Sequence, residues 1–281
     1  MLRVAVPNKG SLAEPASTML REAGYRQRRE RQELVLVDPD NETEFFFLRP
    51  RDIATYVGTG TLEVGITGRD LLLDGASTAE ELLELGFGRS TFRYAAVPGT
   101  VAGIADFAGK RIATSYGGLV RRDLADRGLE AEVIALDGAV ETAVRLGVAD
   151  IIADVVSTGT TLRQAGLEVV GEPILHSEAV LVRRVGAEVD PRVDQLIRRL
   201  TGVIIARRYV MLDYDCRVEH MEAACAITPG IESPTVSPLQ DPDWVAVRAM
   251  VEQRDAHRIM DELWHLGARG ILVTDILACR L

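Results

Sequence analysis

The sequence predicts an α/β protein of two strand-and-helix lobes followed by a smaller C-terminal α+β module. Short apolar runs ending in Gly- or Pro-containing turns are followed repeatedly by stretches of helical spacing, the rhythm of an α/β sheet. The chain has 281 residues, more than one compact core covers at the usual scale of roughly 100–200 residues per domain. From about residue 209 the order becomes β-α-β-β-α-β, a ferredoxin-like pattern.

Residues 2–6 form an apolar run closed by Pro7-Asn8-Lys9-Gly10-Ser11, after which Leu12, Ala16, Met19, Leu20 and Ala23 recur at helical spacing up to Gly24. Residues 34–37 and 44–48 read as strands joined by the Asp38-Pro39-Asp40-Asn41 turn, and a helix starts over 52–57. A strand at 64–67 leads through Gly68-Arg69-Asp70 into a helix reaching Asp74. The second cycle runs through strands near 94–97 and 111–114, a helix at 119–127, a strand at 132–135, a helix at 139–146 and a strand at 150–156. A strand near 178–183 and a helix at 191–206 look like a return to the first lobe. The expected domains are therefore a discontinuous lobe I (1–93 plus 178–207), lobe II (94–177) and a C-terminal module (208–281).

With 47% hydrophobic and 26% charged residues, the composition excludes disordered, collagen-like and coiled-coil chains. The 42 acidic residues outnumber 32 basic ones for a net charge of −10, which argues against nucleic acid or an acidic membrane as partner. An anionic ligand must then be held by local positive features. There is no run of 18 apolar residues, and Pro7 breaks the first strand too early for a signal-peptide core, so a cytoplasmic location is expected. Three cysteines without CxxC spacing and four scattered histidines support neither a disulfide framework nor a His/Cys metal centre. Only Lys9 and Lys110 among the basic residues are lysines, and the Arg26–Arg31 run, interrupted by Glu30, reads as a solvated face.

The sharpest local feature is Asp154-Val-Val-Ser-Thr-Gly-Thr-Thr-Leu162. An apolar strand delivers the chain into Ser157, Thr158, Gly159, Thr160 and Thr161, where a residue without a Cβ lets backbone N–H groups converge on an anion and hydroxyls add donors. Asp154 at the strand end offers acceptors for ribose hydroxyls, so a sugar phosphate fits better than bare phosphate. A helix starting after Thr161 would add its dipole. The plain alternative is a Ser/Thr-rich turn that only caps a helix.

The wider spacing, E-x5-G-x-A-x2-I-x-D-V-x2-T-G-x-T-L from Glu141 to Leu162, resembles the phosphoribosyl-pyrophosphate motif of the ATP phosphoribosyltransferase family. Val-Pro-Asn-Lys-Gly at 6–10, Phe-Leu-Arg-Pro-Arg-Asp-Ile at 47–53, Val-Gly-Ile-Thr-Gly-Arg-Asp-Leu at 64–71, Leu212-Asp213-Tyr214-Asp215 and the 227–235 segment resemble the long, hexameric form of that family. The likeness spans essentially the whole chain. It implies a periplasmic-binding-protein-like pair of lobes with the cleft between them, and a C-terminal ferredoxin-like (ACT-like) regulatory domain.

The resemblance further implies that adenine N1 of ATP attacks C1 of phosphoribosyl pyrophosphate, releasing pyrophosphate. Adenine N1 is already unprotonated at neutral pH, so positioning and charge stabilisation should outweigh base catalysis. Lys9 and Arg49 would act with Mg2+ on the departing pyrophosphate, and Glu141, Asp154 and residues 157–161 would hold the sugar phosphate. Gly10, Asp70, Leu71 and Tyr116 would form the ATP pocket; Asp215, Ser233 and Thr235 would bind histidine as feedback inhibitor. No protein ligand to Mg2+ is singled out, the pyrophosphate itself being its main holder. Local alternatives stay open at several positions: Lys9 as a solvent-exposed turn residue, Arg49 as an ion-pair partner of Asp52, Asp70 as a helix-start carboxylate, Tyr116 as a surface aromatic, and Asp213 and Asp215 as outward residues of a strand. At the level of the whole chain, the competitors are a non-catalytic two-lobed solute binder or amino-acid sensor and a phosphoribosyltransferase acting on another base.

Overall fold

The computed structural model describes residues 1–28, 32–75, 77–156, 159–188 and 190–280. The first part of the chain comprises β1 (Leu2–Pro7), α1 (Ala13–Glu22), β2 (Val35–Asp38), β3 (Thr43–Leu48), α2 (Pro50–Gly58), β4 (Val64–Gly68), α3 (Arg69–Asp74) and β5 (Ala79–Glu84). Then follow β6 (Ser90–Ala96), β7 (Arg111–Thr114), α4 (Gly117–Asp126), β8 (Glu132–Ala135), α5 (Thr142–Arg145), β9 (Ile151–Val156), α6 (Thr160–Gln164) and β10 (Glu168–Ser177). The chain continues through β11 (Ala179–Arg184) and α7 (Pro191–Arg208) into β12 (Tyr209–Arg217), α8 (Met221–Ile227), β13 (Thr235–Pro238), β14 (Trp244–Glu252), α9 (Ala256–Leu266) and β15 (Arg269–Asp275).

Three sheets organise these elements, in orders β2-β3-β1-β4-β11-β5, β10-β6-β9-β7-β8 and β13-β14-β12-β15. In the first, β1 lies between β3 and β4 and is parallel to both. Such an interior strand is covered on both faces, which is why Leu2, Val4, Ala5 and Val6 are all buried. Pro7, lacking an N–H, ends it. In the second, β7 lies between β8 and β9, again parallel to both. Phe92, Tyr94, Phe107 and Ile112 fill one side of this sheet, and Ala113, Val140, Ala143 and Ile152 the other. The lobes are joined by the segment between β5 and β6 and by the step from β10 to β11, since β11 runs antiparallel between β4 and β5 of the first sheet.

The chain divides into two compact units, residues 1–21 with 25–193 and residues 22–24 with 194–281. Both lobes fall in the first. The division cuts α7 after Val193, so most of the helix groups with the C-terminal sheet rather than with the 178–207 segment of lobe I. The second unit is ferredoxin-like: Val210, Leu212, Tyr214 and Cys216 of β12 alternate onto Ile259 and Leu263 of α9, while Met211, Asp213 and Asp215 face the other way. Tyr214 and Thr228 satisfy one another at 2.8 Å inside that core. Among the described residues, no helix is long and apolar enough to cross a membrane.

Candidate active site

In both lobes the candidate side chains stand at or near the C-terminal ends of three parallel strands, where chain connections diverge to either side and leave a crevice. In lobe I, β1 runs into Lys9 and Gly10, β3 into Arg49, and β4 into Asp70 and Leu71. Arg49 is extended at the N-cap of α2 and Pro50 takes the first helical position, a place where the missing N–H costs nothing. In lobe II, β7 runs into Tyr116, β8 leads to Glu141, and Asp154 lies on the last turn of β9 before Gly159.

A cleft of about 290 Å³ joins the two sets. Lys9, Gly10, Asp70 and Leu71 line it from the first lobe, and Tyr116, Val155 and Ser177 from the second. A smaller pocket of about 120 Å³, also bordered by Val155, is lined by Glu141, Asp154, Gly159 and Thr161. Arg49 and Thr160, both exposed, line neither. Ser157 and Thr158 lie outside the described residues. Lys9 and Arg49 have no carboxylate partner among the described residues; Asp52 meets Arg49 through its backbone N–H, which donates to the Arg49 carbonyl at 2.9 Å.

The second lobe is acidic at the same level. Burial pushes the Asp154 carboxyl above the ordinary carboxylate range, Glu141 and Asp70 push it further, and the Val155 N–H, donating to Oδ1 at 2.7 Å, opposes them. Gly159 holds a left-handed conformation at φ 70°, ψ 5°. α6 begins at Thr160, within the hydroxyl run and not after Thr161, and is only five residues long, so its dipole is small.

Asp70 is not a free helix-start carboxylate. Ser177 donates to its Oδ1 at 2.8 Å, and the Asp70 N–H donates to Ser177 Oγ at 3.0 Å, both residues being buried. Tyr116 stands edge-on to Phe92 with centroids 5.1 Å apart, and the Arg51 guanidinium lies 4.8 Å from its ring centre. Burial raises the Tyr116 phenol well above its usual range, with the Asp70 carboxylate adding to the effect. Ser177 and Arg51 escape sequence reasoning because both are defined by contacts between segments far apart in the chain. Arg28, assigned to a solvated face, is half-buried over Phe47 at 4.2 Å and donates to the Asn8 carbonyl at 3.2 Å.

In the second unit, Asp215 is half-buried on β12, opposite Ala246 and Arg269. Thr235 opens the edge strand β13 opposite Arg248, and Arg248 donates to Asp213 at 2.6 Å. The pairing puts Thr235, Asp213 and Asp215 on one face; Ser233 precedes the strand and is exposed. Asp213 is thus an ion-pair partner, whereas Asp215 has none among the described residues. No group of three or more His, Cys, Asp or Glu side chains among the described residues is arranged to hold a metal.

A two-lobed α/β protein with cations on one wall of its cleft and a carboxylate-and-hydroxyl cradle on the other is suited to a phosphorylated sugar and a second anion. Comparison with known proteins makes this specific. Residues 49–202 match the family model described as ATP phosphoribosyltransferase, and residues 206–278 match the model of the HisG C-terminal domain. Relatives named ATP phosphoribosyltransferase include one from Streptomyces avermitilis, 65% identical, and one from Pseudarthrobacter chlorophenolicus, 66% identical, each over the whole of both chains. Among solved structures, the ATP phosphoribosyl transferase (HisG:HisZ) complex from Thermotoga maritima aligns with a TM-score of 0.64 and 30% identity, covering 73% of this chain and 98% of that one. The chain belongs to the ATP phosphoribosyltransferase family, the pentosyltransferases of the first step of histidine biosynthesis. Both whole-chain alternatives, a non-catalytic binder and an enzyme for another base, give way to this membership.

Proposed function

We propose that the cleft joins phosphoribosyl pyrophosphate to N1 of ATP, giving N1-(5-phosphoribosyl)-ATP and pyrophosphate, and that histidine inhibits the reaction through the C-terminal domain. The observation that carries the first part is a cleft lined by Lys9 in lobe I that adjoins, through Val155, the Glu141, Asp154 and Gly159 pocket in lobe II. The 5-phosphate rests on the 157–161 loop, while Asp154 and Glu141 accept from ribose hydroxyls. ATP lies along Gly10, Asp70 and Leu71, with adenine against Tyr116. As the C1–oxygen bond breaks, negative charge builds on the departing pyrophosphate. Lys9 and Arg49, without a carboxylate partner among the described residues, would meet it.

The donor set suits Mg2+ only as a substrate-borne ion. A cleft with isolated carboxylates matches an ion held through one or two of them and substrate phosphates. Asp70 in the cleft and Asp154 in the adjoining pocket are the carboxylates that would hold such an ion, which would supply neutralisation of pyrophosphate charge. Histidine binding is assigned to Asp215, whose carboxylate suits an ammonium or imidazolium, with Ser233 and Thr235 beside it. The protein is read as cytoplasmic and as a homo-oligomer, dimer to hexamer.

Purified protein given ATP, Mg2+ and phosphoribosyl pyrophosphate should release pyrophosphate; no turnover with all three sinks the reading. For regulation, Asp215→Ala should raise the histidine concentration for half-inhibition by roughly tenfold at unchanged uninhibited rate, the loss expected for one charge-assisted hydrogen bond. Unchanged inhibition would move the regulatory site elsewhere.

A further inference from the structure

We propose that Asp74 and Arg51 form an interlobe latch that sets the width of the cleft and the place of the Tyr116 ring, making both positioning residues for the adenine nucleotide. The nucleotide clause rests on the reading above; the latch itself rests on geometry alone.

α3 belongs to the first lobe and α4 to the second, yet Leu73 packs against the core of the second lobe. The next residue carries the polar part of the contact. Asp74 Oδ1 accepts from the N–H groups of Gly118 at 2.8 Å and Leu119 at 3.2 Å. Both are in the first turn of α4, where N–H groups have no partner inside the helix, and the N-cap residue Tyr116 supplies no side-chain cap. A carboxylate from the opposite lobe therefore does the capping, with favourable charge for a helix N-terminus.

The other oxygen, Oδ2, accepts from Arg51 at 2.7 Å, and the same guanidinium covers the Tyr116 ring. Phe92 closes the ring's second contact. Asp74 is largely buried, its side chain 11% exposed, while Arg51 is 47% exposed, so the pair is shielded on the acid side only. Gly118 completes the fit: a Cβ there would collide with the Asp74 carbonyl oxygen. Because α3 also carries Asp70 and Leu71 onto the cleft wall facing Tyr116, a shift of α3 along α4 changes the cleft directly. Small misplacements of bound groups cost disproportionately in rate, and a contact spanning two lobes is where such a shift is controlled.

The test uses the full chain with spin labels at exposed Thr55 of α2 and Ala125 of α4, the native cysteines being replaced. Gly118→Ala and Asp74→Ala should lengthen or broaden the interlobe distance distribution. They should raise KM for ATP by roughly tenfold while KM for phosphoribosyl pyrophosphate stays within about twofold. Asp74→Asn, which keeps an oxygen for the two N–H groups, should restore most of both. Arg51→Met is half-exposed and keeps the test open should Asp74→Ala not fold; it should raise KM for ATP with less change in distance. A distance distribution identical to wild type in both Gly118→Ala and Asp74→Ala overturns the latch, as does an unchanged KM for ATP in every variant. Were the wild type to bind no ATP, the nucleotide reading would fail, and the distances would still decide the latch.

Discussion

The two lobes solve the same geometric problem with opposite chemistry. Each places a strand between two parallel neighbours and loads the C-terminal ends of all three. The first lobe puts Lys9 and Arg49 there, without a carboxylate partner among the described residues, beside an Asp70 held by Ser177; the second puts carboxylates, Glu141 and Asp154, beside a left-handed glycine. The contrast matters because the chain carries a net charge of −10 and cannot draw polyanions by its overall field. Capture has to be local. A sugar bearing phosphates has hydroxyls that want acceptors and a leaving group that wants cations, and on the proposed reading the two walls divide these tasks.

The division can be broken from either side. The largest effect is expected from Asp154→Ala, which should lower kcat/KM for phosphoribosyl pyrophosphate by about a hundredfold or more, as loss of a preorganised polar contact does, while leaving histidine inhibition nearly unchanged. Steady-state kinetics with varied sugar phosphate checks it, and a larger change in histidine response than in KM would count against the assignment. Next, Lys9→Met should lower kcat by roughly tenfold to a hundredfold with a smaller change in KM for ATP, because charge appears on the leaving group as the bond breaks. A pure KM effect would make Lys9 a docking residue instead.

Gly159→Ala probes the cradle's backbone. The added methyl has room, with Arg163 and Val156 at ordinary contact distance, so the penalty is the left-handed conformation itself, about 1 kcal/mol. Thermal unfolding should register that loss together with a raised KM for the sugar phosphate. The smallest effect is electrostatic. Asp154 has a raised folded-state pKa, so its ionised form is disfavoured by folding and the native state gains relative stability as pH falls. Asp154→Asn should therefore unfold at higher temperature than wild type at pH 7, and the difference should shrink as pH drops through the raised value and vanish below the ordinary Asp range. A gap that grows on acidification would reverse the sign and remove burial as the cause.

Where local pattern and tertiary context agreed, the sequence was a good guide. β1, β4 and β7 are short apolar runs because they are covered on both faces, and the turn residues after them line the cleft or its rim. β5 escaped notice: Ala79-Glu-Glu-Leu-Leu-Glu84 is rich in helix formers and lacks the alternation of a half-buried strand. Only pairing with β11, itself far along the chain, makes it a strand. β10 was hidden by Gly171 and Pro173 and by the register shift between Val170 and Leu175 that they accompany. β13, inside the Pro-rich stretch, is a four-residue edge strand that only its pairing with β14 reveals.

The candidate site divides in the same manner. Lys9, Gly10, Asp70, Leu71, Glu141, Gly159 and Tyr116 each follow a strand, and Asp154 lies near the end of one, positions that spacing can disclose. Ser177, Arg51 and Asp74 are defined by partners 107, 23 and 44 residues away, and nothing in their own neighbourhoods marks them.

The scarcity of lysine gives the cleft a chemical address. Among the side chains of this sequence, amine-directed reagents find only Lys9 and Lys110. Lys9 is exposed on the cleft rim and Lys110 is half-buried at the turn before β7. Acylation with a small ester followed by intact mass measurement thus yields a spectrum of very few peaks. Protection of Lys9 by either substrate would be legible in that spectrum as one missing increment.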